Sequence, residues 1–120
     1  MKKVLVIEDD ADTIEMVEYL LQDAGYAVIK INREVFLSEI AAINPDLVVL
    51  DYLLPHALGN NLCSSLKSDP KTKHIPVILY SASNLGKKVA DECKADEFIP
   101  KPFDVDLFLD KVDELTQRKK

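Results

Sequence analysis

The sequence predicts an α/β fold, a doubly wound parallel sheet of five strands built as (βα)5. Three observations predict it. Short, β-branched, continuously apolar runs alternate with stretches of helical period. The connections between them are of ordinary length, with no linker, low-complexity tract or internal repeat. The chain has 120 residues, 48% hydrophobic and 30% charged, the size of one domain. Such a domain buries roughly 60% or more of its extended surface, enough for a real core without staples. The expectation is therefore a single domain over 1–120.

Each element has its own justification. KVLVI at 3–7 is apolar on both faces, as a buried parallel strand requires. Over 11–24, Ile14, Val17, Leu20, Leu21 and Ala24 recur at three and four, the face of an amphipathic helix. Asp10 or Asp12 can cap its start, and Gly25 can supply a left-handed stop. AVIKI at 27–31 reads as a strand whose Lys30 points to a more exposed place in the sheet. A helix over 34–43 carries Phe36, Leu37, Ile40 and Ile43 and ends at Asn44-Pro45, because the residue before proline resists helix. LVVL at 47–50 is the third strand, and 61–67 a helix with Leu62 and Leu66 inward.

VILY at 77–80 is the fourth strand, 85–94 a weaker helix with few apolar anchors, and EFI at 97–99 a short fifth strand. Asp104 caps a last helix that buries Val105, Phe108, Leu109, Val112 and Leu115. Arg118, Lys119 and Lys120 lie at its negative end, where cations are favoured. Regular alternation with right-handed crossovers puts helices on both faces of the sheet.

Composition removes several function classes. With 21 acidic and 15 basic side chains the net charge is −6, which argues against nucleic-acid binding. Three glycines, at 25, 59 and 86, form neither a G-x-x-x-x-G-K cradle nor a G-x-G-x-x-G fingerprint. Two histidines and two cysteines, none clustered, match no zinc or iron–sulfur spacing. No apolar run suits a membrane span, and MKKVLVIEDD meets acid too soon for a signal peptide, so the expectation is a cytoplasmic protein without membrane contact. Cys63 and Cys93 read as small buried hydrophobes.

The informative residues stand at the carboxyl ends of the strands, where sites form in sheets of this kind. Strand one runs into Glu8-Asp9-Asp10, strand three ends at Asp51, strand four at Ser81, and strand five at Lys101 just after Phe98. If strands one and three are neighbours, Glu8, Asp9 and Asp51 crowd together, and such carboxylates repel unless a cation neutralises them. A hard divalent ion is the economical solution: Mg²⁺ accepts one or two carboxylates plus waters and leaves positions for phosphate oxygens. Lys101 adds a mobile positive charge and Ser81 a hydroxyl. Acids at strand–helix junctions are also common caps, and for Asp10, Asp12 and Asp104 capping is the simpler account. A lone Lys101 would ordinarily be solvated. Capping does not explain four strand ends all suited to one phosphoryl–metal centre.

Four motifs carry a resemblance: V-L-V-I-E-D-D at the start, V-V-L-D-Y-L-L-P-H-A-L-G at 48–59, I-P-V-I-L-Y-S-A at 75–82 and F-I-P-K-P-F at 98–103. In this order and spacing the chain resembles, over essentially its whole length, a response-regulator receiver domain, the phospho-accepting half of two-component signalling. The resemblance implies a flavodoxin-like strand order of 2-1-3-4-5. It implies Asp51 as phosphoryl acceptor, with Mg²⁺ bound by Asp9, Asp51 and the backbone carbonyl of Leu53, and with Glu8 acting through a metal-bound water. It further implies Ser81 as switch hydroxyl, Phe98 as aromatic switch, Lys101 as phosphate partner, a cis peptide at Lys101-Pro102, and a loop shaped by Pro55 and Gly59.

The implied donor is a sensor histidine kinase or a histidine phosphotransfer protein, and a small acyl phosphate could also serve. The implied output surface is formed by the fourth helix, fifth strand and fifth helix, with the output partner unspecified. The protein would catalyse its own phosphorylation and dephosphorylation rather than turn over a substrate. Leu58 stands where Asp is frequent, and Lys94 where Gly is frequent before strand five. The resemblance implies that Leu53 and Ser83 occupy positions that tune phosphate lifetime, and the expectation is that apolar Leu53, which cannot orient water, makes the phosphoryl group persist. His56 reads as a loop residue, His74 as structural or solvated, and Tyr52 as a packing residue.

Other functions fit less well. A haloacid-dehalogenase-type phosphatase needs a second Asp two residues after its nucleophile, where this chain has Leu53. A flavin-binding domain would want a hydroxyl- and glycine-rich loop where Glu8, Asp9 and Asp10 stand. A pseudo-receiver would not keep the acids, Ser81 and Lys101. Both a stand-alone receiver and a receiver excised from a longer protein are compatible with the chain, and Met1 and the basic finish lean to the first.

Overall fold

The structure, a computed structural model, describes residues 2–8, 10–33, 35–51, 59–81, 91, 93–100 and 104–118. Five parallel strands are present: β1 (Lys3–Ile7), β2 (Ala27–Ile31), β3 (Leu47–Asp51), β4 (Val77–Ser81) and β5 (Glu97–Pro100). They lie in the order β2-β1-β3-β4-β5, the flavodoxin-like order that the resemblance implied. Among the described residues four helices accompany them: α1 (Ala11–Asp23), α2 (Leu37–Ile43), α3 (Gly59–Ser68) and α4 (Val105–Arg118). The helix expected over 85–94 falls almost entirely outside the described residues.

Alternation along the strands divides the core in two. Leu5, Ile7, Val48, Leu50, Val77 and Leu79 face one side with Ile40 of α2 and Leu66 of α3. Val4, Val6, Leu47, Val49, Ile78, Tyr80 and Ile99 face the other, with Val17 and Leu21 of α1 and Phe108 and Val112 of α4. The central strands β1, β3 and β4 are covered on both sides, which is why they read as unbroken apolar runs. β2 is an edge strand and its Lys30 is exposed, in an ion pair with Glu18.

The helix ends resolve what periodicity left open. Asp10, not Asp12, caps α1: its side chain accepts from the Thr13 backbone N–H at 2.9 Å. Gly25 has φ 97°, the left-handed stop expected of it. α2 begins at Leu37 rather than 34, because the Phe36 N–H donates to Glu39 Oε1 at 3.1 Å and fixes the first turn there. Its end at Asn44 is as expected, with Asn44 itself left-handed at φ 49°. Asp104 caps α4 through the Leu107 N–H at 3.2 Å. Val105, expected inside, is instead exposed at the first turn of that helix. Cys63 and Cys93 are both buried, Cys63 Sγ donating to the Cys93 carbonyl at 3.5 Å.

Candidate functional site

Register places the acids. Ile7 pairs with Leu50, so the residues that follow, Glu8 and Asp51, leave neighbouring strands side by side at the carboxyl rim, where adjacent strands are ~4.8 Å apart. Asp51 in turn pairs with Tyr80 on β4. Glu8, Asp51 and Tyr80 thus form one row across β1, β3 and β4 on the face that packs α1 and α4.

Both carboxylates are inside the molecule, Glu8 fully buried and Asp51 only 5% exposed. A buried carboxylate is tolerated only when it is hydrogen-bonded or paired. The Glu8 N–H continues the β1–β2 ladder to the Ile31 carbonyl at 3.1 Å, which holds its backbone. Its side chain is gripped at both oxygens: Oε1 accepts from the Tyr80 hydroxyl at 2.6 Å, and Oε2 from the Asp10 N–H at 3.0 Å. Burial pushes the Tyr80 phenol far above its ordinary range, and the hydrogen bond to Glu8 and the charges of Glu8, Asp51 and Asp10 push it further.

Asp10 is occupied in capping, its side chain accepting from both the backbone and the hydroxyl of Thr13. Ser81 ends β4 opposite Pro100, and Phe98 lies in β5 opposite Leu79. Phe98 is partly buried against the α2–α3 side of the core, the opposite face from Asp51. His74 is exposed and stands apart as expected.

The structure therefore brings together Glu8 and Asp51; Ser81 ends β4, whereas Phe98 is the second residue of β5, two positions short of its end. Asp9, Leu53, Lys101 and Pro102 lie outside the described residues, as do Tyr52, Pro55, His56, Leu58 and Ser83. Among the described residues no group of three His, Cys, Asp or Glu side chains forms a metal cluster. Two buried carboxylates at one rim, with oxygen donors only, nevertheless fit a hard divalent cation better than a soft one. Tyr80 is the residue that sequence reasoning missed. Its signal was a polar-tipped side chain inside a run otherwise wholly apolar, in register with the acid at the end of strand three.

Fold and rim together define a flavodoxin-like α/β protein in which the ends of β1 and β3 gather buried carboxylates. Residues 4–113 match the family model described as response regulator receiver domain, and the chain belongs to that family. It is 33% identical over 121 residues to the DNA-binding dual master transcriptional regulator RpaA of Synechocystis sp., covering 98% of this chain and 50% of that protein. It is 35% identical over 105 residues to the phosphate regulon transcriptional regulatory protein PhoB of Pseudomonas aeruginosa, covering 85% of this chain and 46% of that one. The chain thus spans about half the length of these curated relatives. Among solved structures, the signal receiver domain of a signal transduction histidine kinase from Syntrophus aciditrophicus superposes with a TM-score of 0.90 at 28% identity, covering 100% of this chain and 93% of that one. No described helix is long and apolar enough to cross a membrane.

Proposed function

We propose that residues 1–120 act as one phospho-accepting receiver domain, with Asp51 as the acceptor. The observation that supports this most is that Glu8 and Asp51 each follow the paired residues Ile7 and Leu50: two buried carboxylates at the carboxyl rim of the central strands. In the proposed reaction an Asp51 oxygen attacks the phosphorus of a phosphohistidine. The N–P bond breaks as the O–P bond forms, and the histidine nitrogen keeps the electron pair and takes a proton. The product is an aspartyl phosphate, later lost to water.

Phosphoryl transfer asks the protein for positioning and charge neutralisation more than for covalent chemistry. Asp9, Asp51 and the Leu53 carbonyl would hold Mg²⁺, with Glu8 reaching it through a water. That ion would supply neutralisation of the phosphoryl oxygens. Lys101 would pair with the phosphoryl group and orient it, and Ser81 would hydrogen-bond one of its oxygens. The added group brings up to about two negative charges and three acceptor oxygens. Movement of Ser81 toward it would open space for Phe98, shifting the balance between two conformations of the surface around β5 and the flanking helices.

The donor in this reading is a sensor histidine kinase or a histidine phosphotransfer protein, the compartment is the cytoplasm, and the domain is a switch rather than a turnover enzyme. Intact-protein mass measurement after treatment with an acyl phosphate tests it. One phosphoryl adduct is expected with Mg²⁺, little without it, and none on Asp51→Asn. A full adduct on Asp51→Asn, or many turnovers of an aryl phosphate, would overturn the assignment.

A further inference from the structure

β4 carries four fully buried residues in succession, Val77, Ile78, Leu79 and Tyr80. Three are hydrocarbon, and the fourth brings a hydroxyl into the same environment. An unsatisfied buried hydroxyl costs free energy, so a phenylalanine would have been the simpler choice unless the oxygen has a use. The Tyr80 hydroxyl donates to Glu8 Oε1 at 2.6 Å, in the short range of hydrogen bonds to charged acceptors.

The course of that bond is informative. Glu8 follows β1 and Tyr80 belongs to β4, and these strands are not neighbours: β3 lies between them. Two strand spacings make ~10 Å, which a tyrosine and a glutamate span only by reaching toward each other across β3. They cross it at the row of Asp51, the register partner of Tyr80, and on the same face of the sheet. The phenol and the Glu8 carboxylate therefore bracket the proposed acceptor. With the Asp10 N–H on Oε2, both oxygens of Glu8 have fixed donors.

We propose that Tyr80 is a positioning residue of this site: by tethering Glu8 across Asp51 it pre-organises the carboxylates for a divalent cation. The inference rests on the receiver reading above and deepens it. In this role Tyr80 acts through Glu8, to which its hydroxyl donates, as the outer partners of metal ligands do. Tyr80→Phe keeps the ring and its packing and removes only the tether.

The test is Mg²⁺ titration of wild type, Tyr80→Phe, Glu8→Gln and the double variant, with urea stability of each in EDTA. Tyr80→Phe should raise the Mg²⁺ dissociation constant by about tenfold. In the Glu8→Gln background the same change should have little further effect, since the tether then has lost its charge. A packing role would lower stability in EDTA and leave the affinity unchanged. A second readout is spectroscopic: in Tyr52→Phe protein, Mg²⁺ should still perturb the near-ultraviolet tyrosine spectrum, and the perturbation should vanish when Tyr80 is also replaced.

Equal Mg²⁺ affinity in wild type and Tyr80→Phe, additive effects in the double variant, or a silent spectrum in Tyr52→Phe would each overturn the role of Tyr80. If wild type binds Mg²⁺ and is phosphorylated on Asp51 in those cases, only the role of Tyr80 falls. If wild type neither binds Mg²⁺ nor accepts the phosphoryl group, the receiver reading falls and takes this inference with it.

Discussion

Lys67 of α3 and Asp96, the residue before β5, form an ion pair with Nζ 2.8 Å from Oδ2. The same oxygen accepts from the Val77 N–H at 2.8 Å, and Lys67 also donates to the Ile75 carbonyl at 3.1 Å. One carboxylate thus joins α3, the start of β4 and the start of β5. The Lys67 side chain is only 14% exposed, so this pair is better shielded than a surface one. Asp96→Ala should cost about 1–3 kcal/mol, since it leaves the Val77 N–H without its acceptor and the Lys67 cation with only the Ile75 carbonyl. Asp96→Asn, which keeps an acceptor, should cost less. Urea denaturation of the two variants checks the order.

Lys94 has φ 65°, the left-handed region that favours glycine. A side chain there costs ~1–2 kcal/mol, while glycine costs ~0.5–1 kcal/mol in lost unfolded-state freedom. Lys94→Gly should therefore stabilise the protein by up to about 1 kcal/mol, and Lys94→Ala should not. Thermal or urea unfolding distinguishes them.

Because Asp10 caps α1 and Asp12 lies in its first turn, the two acids should respond differently to removal. Asp10→Ala should cost about 1 kcal/mol and Asp12→Ala only a few tenths, the residual helix-dipole effect. Equal losses in urea denaturation would mean the cap is not Asp10.

Tyr26 is held between Asp113 and Thr116 of α4. Burial raises its phenol above the ordinary value, and the Asp113 hydrogen bond adds to this. A group whose folded value is raised contributes stability that is complete below its unfolded value, near pH 10, and is lost as pH rises toward the folded value. Stability should therefore fall above about pH 10, and the fall should be shallower in Tyr26→Phe. Unfolding curves between neutral and strongly alkaline pH measure both slopes.

Much of this fold was legible in the sequence because buried parallel strands leave a plain trace. KVLVI, LVVL and VILY suited strands covered on both faces, and Lys30 pointed to a more exposed place for β2, which is the edge strand. The acids were legible because a strand that ends in a carboxylate points it at the rim. What stayed hidden depended on side-chain partners and helix phase that apolar periodicity does not show. Periodicity put Phe36 inside a helix, whereas the Glu39 carboxylate on its N–H starts the helix one residue later. Val105 fitted the apolar stripe but falls on the first, outward turn. Tyr80 counted as one more apolar residue, because nothing local says that its oxygen meets a glutamate 72 positions earlier.

The two-sided core has a mechanical corollary. Asp51 and Tyr80 belong to one side of the sheet, while Phe98 packs on the other, next to Leu79. Among the described residues the backbone layer of the sheet separates the Asp51 side chain from that of Phe98. In the proposed switch the peptide planes where β4 and β5 run out would carry the message, so that the sheet's own edge of hydrogen bonds serves as the lever.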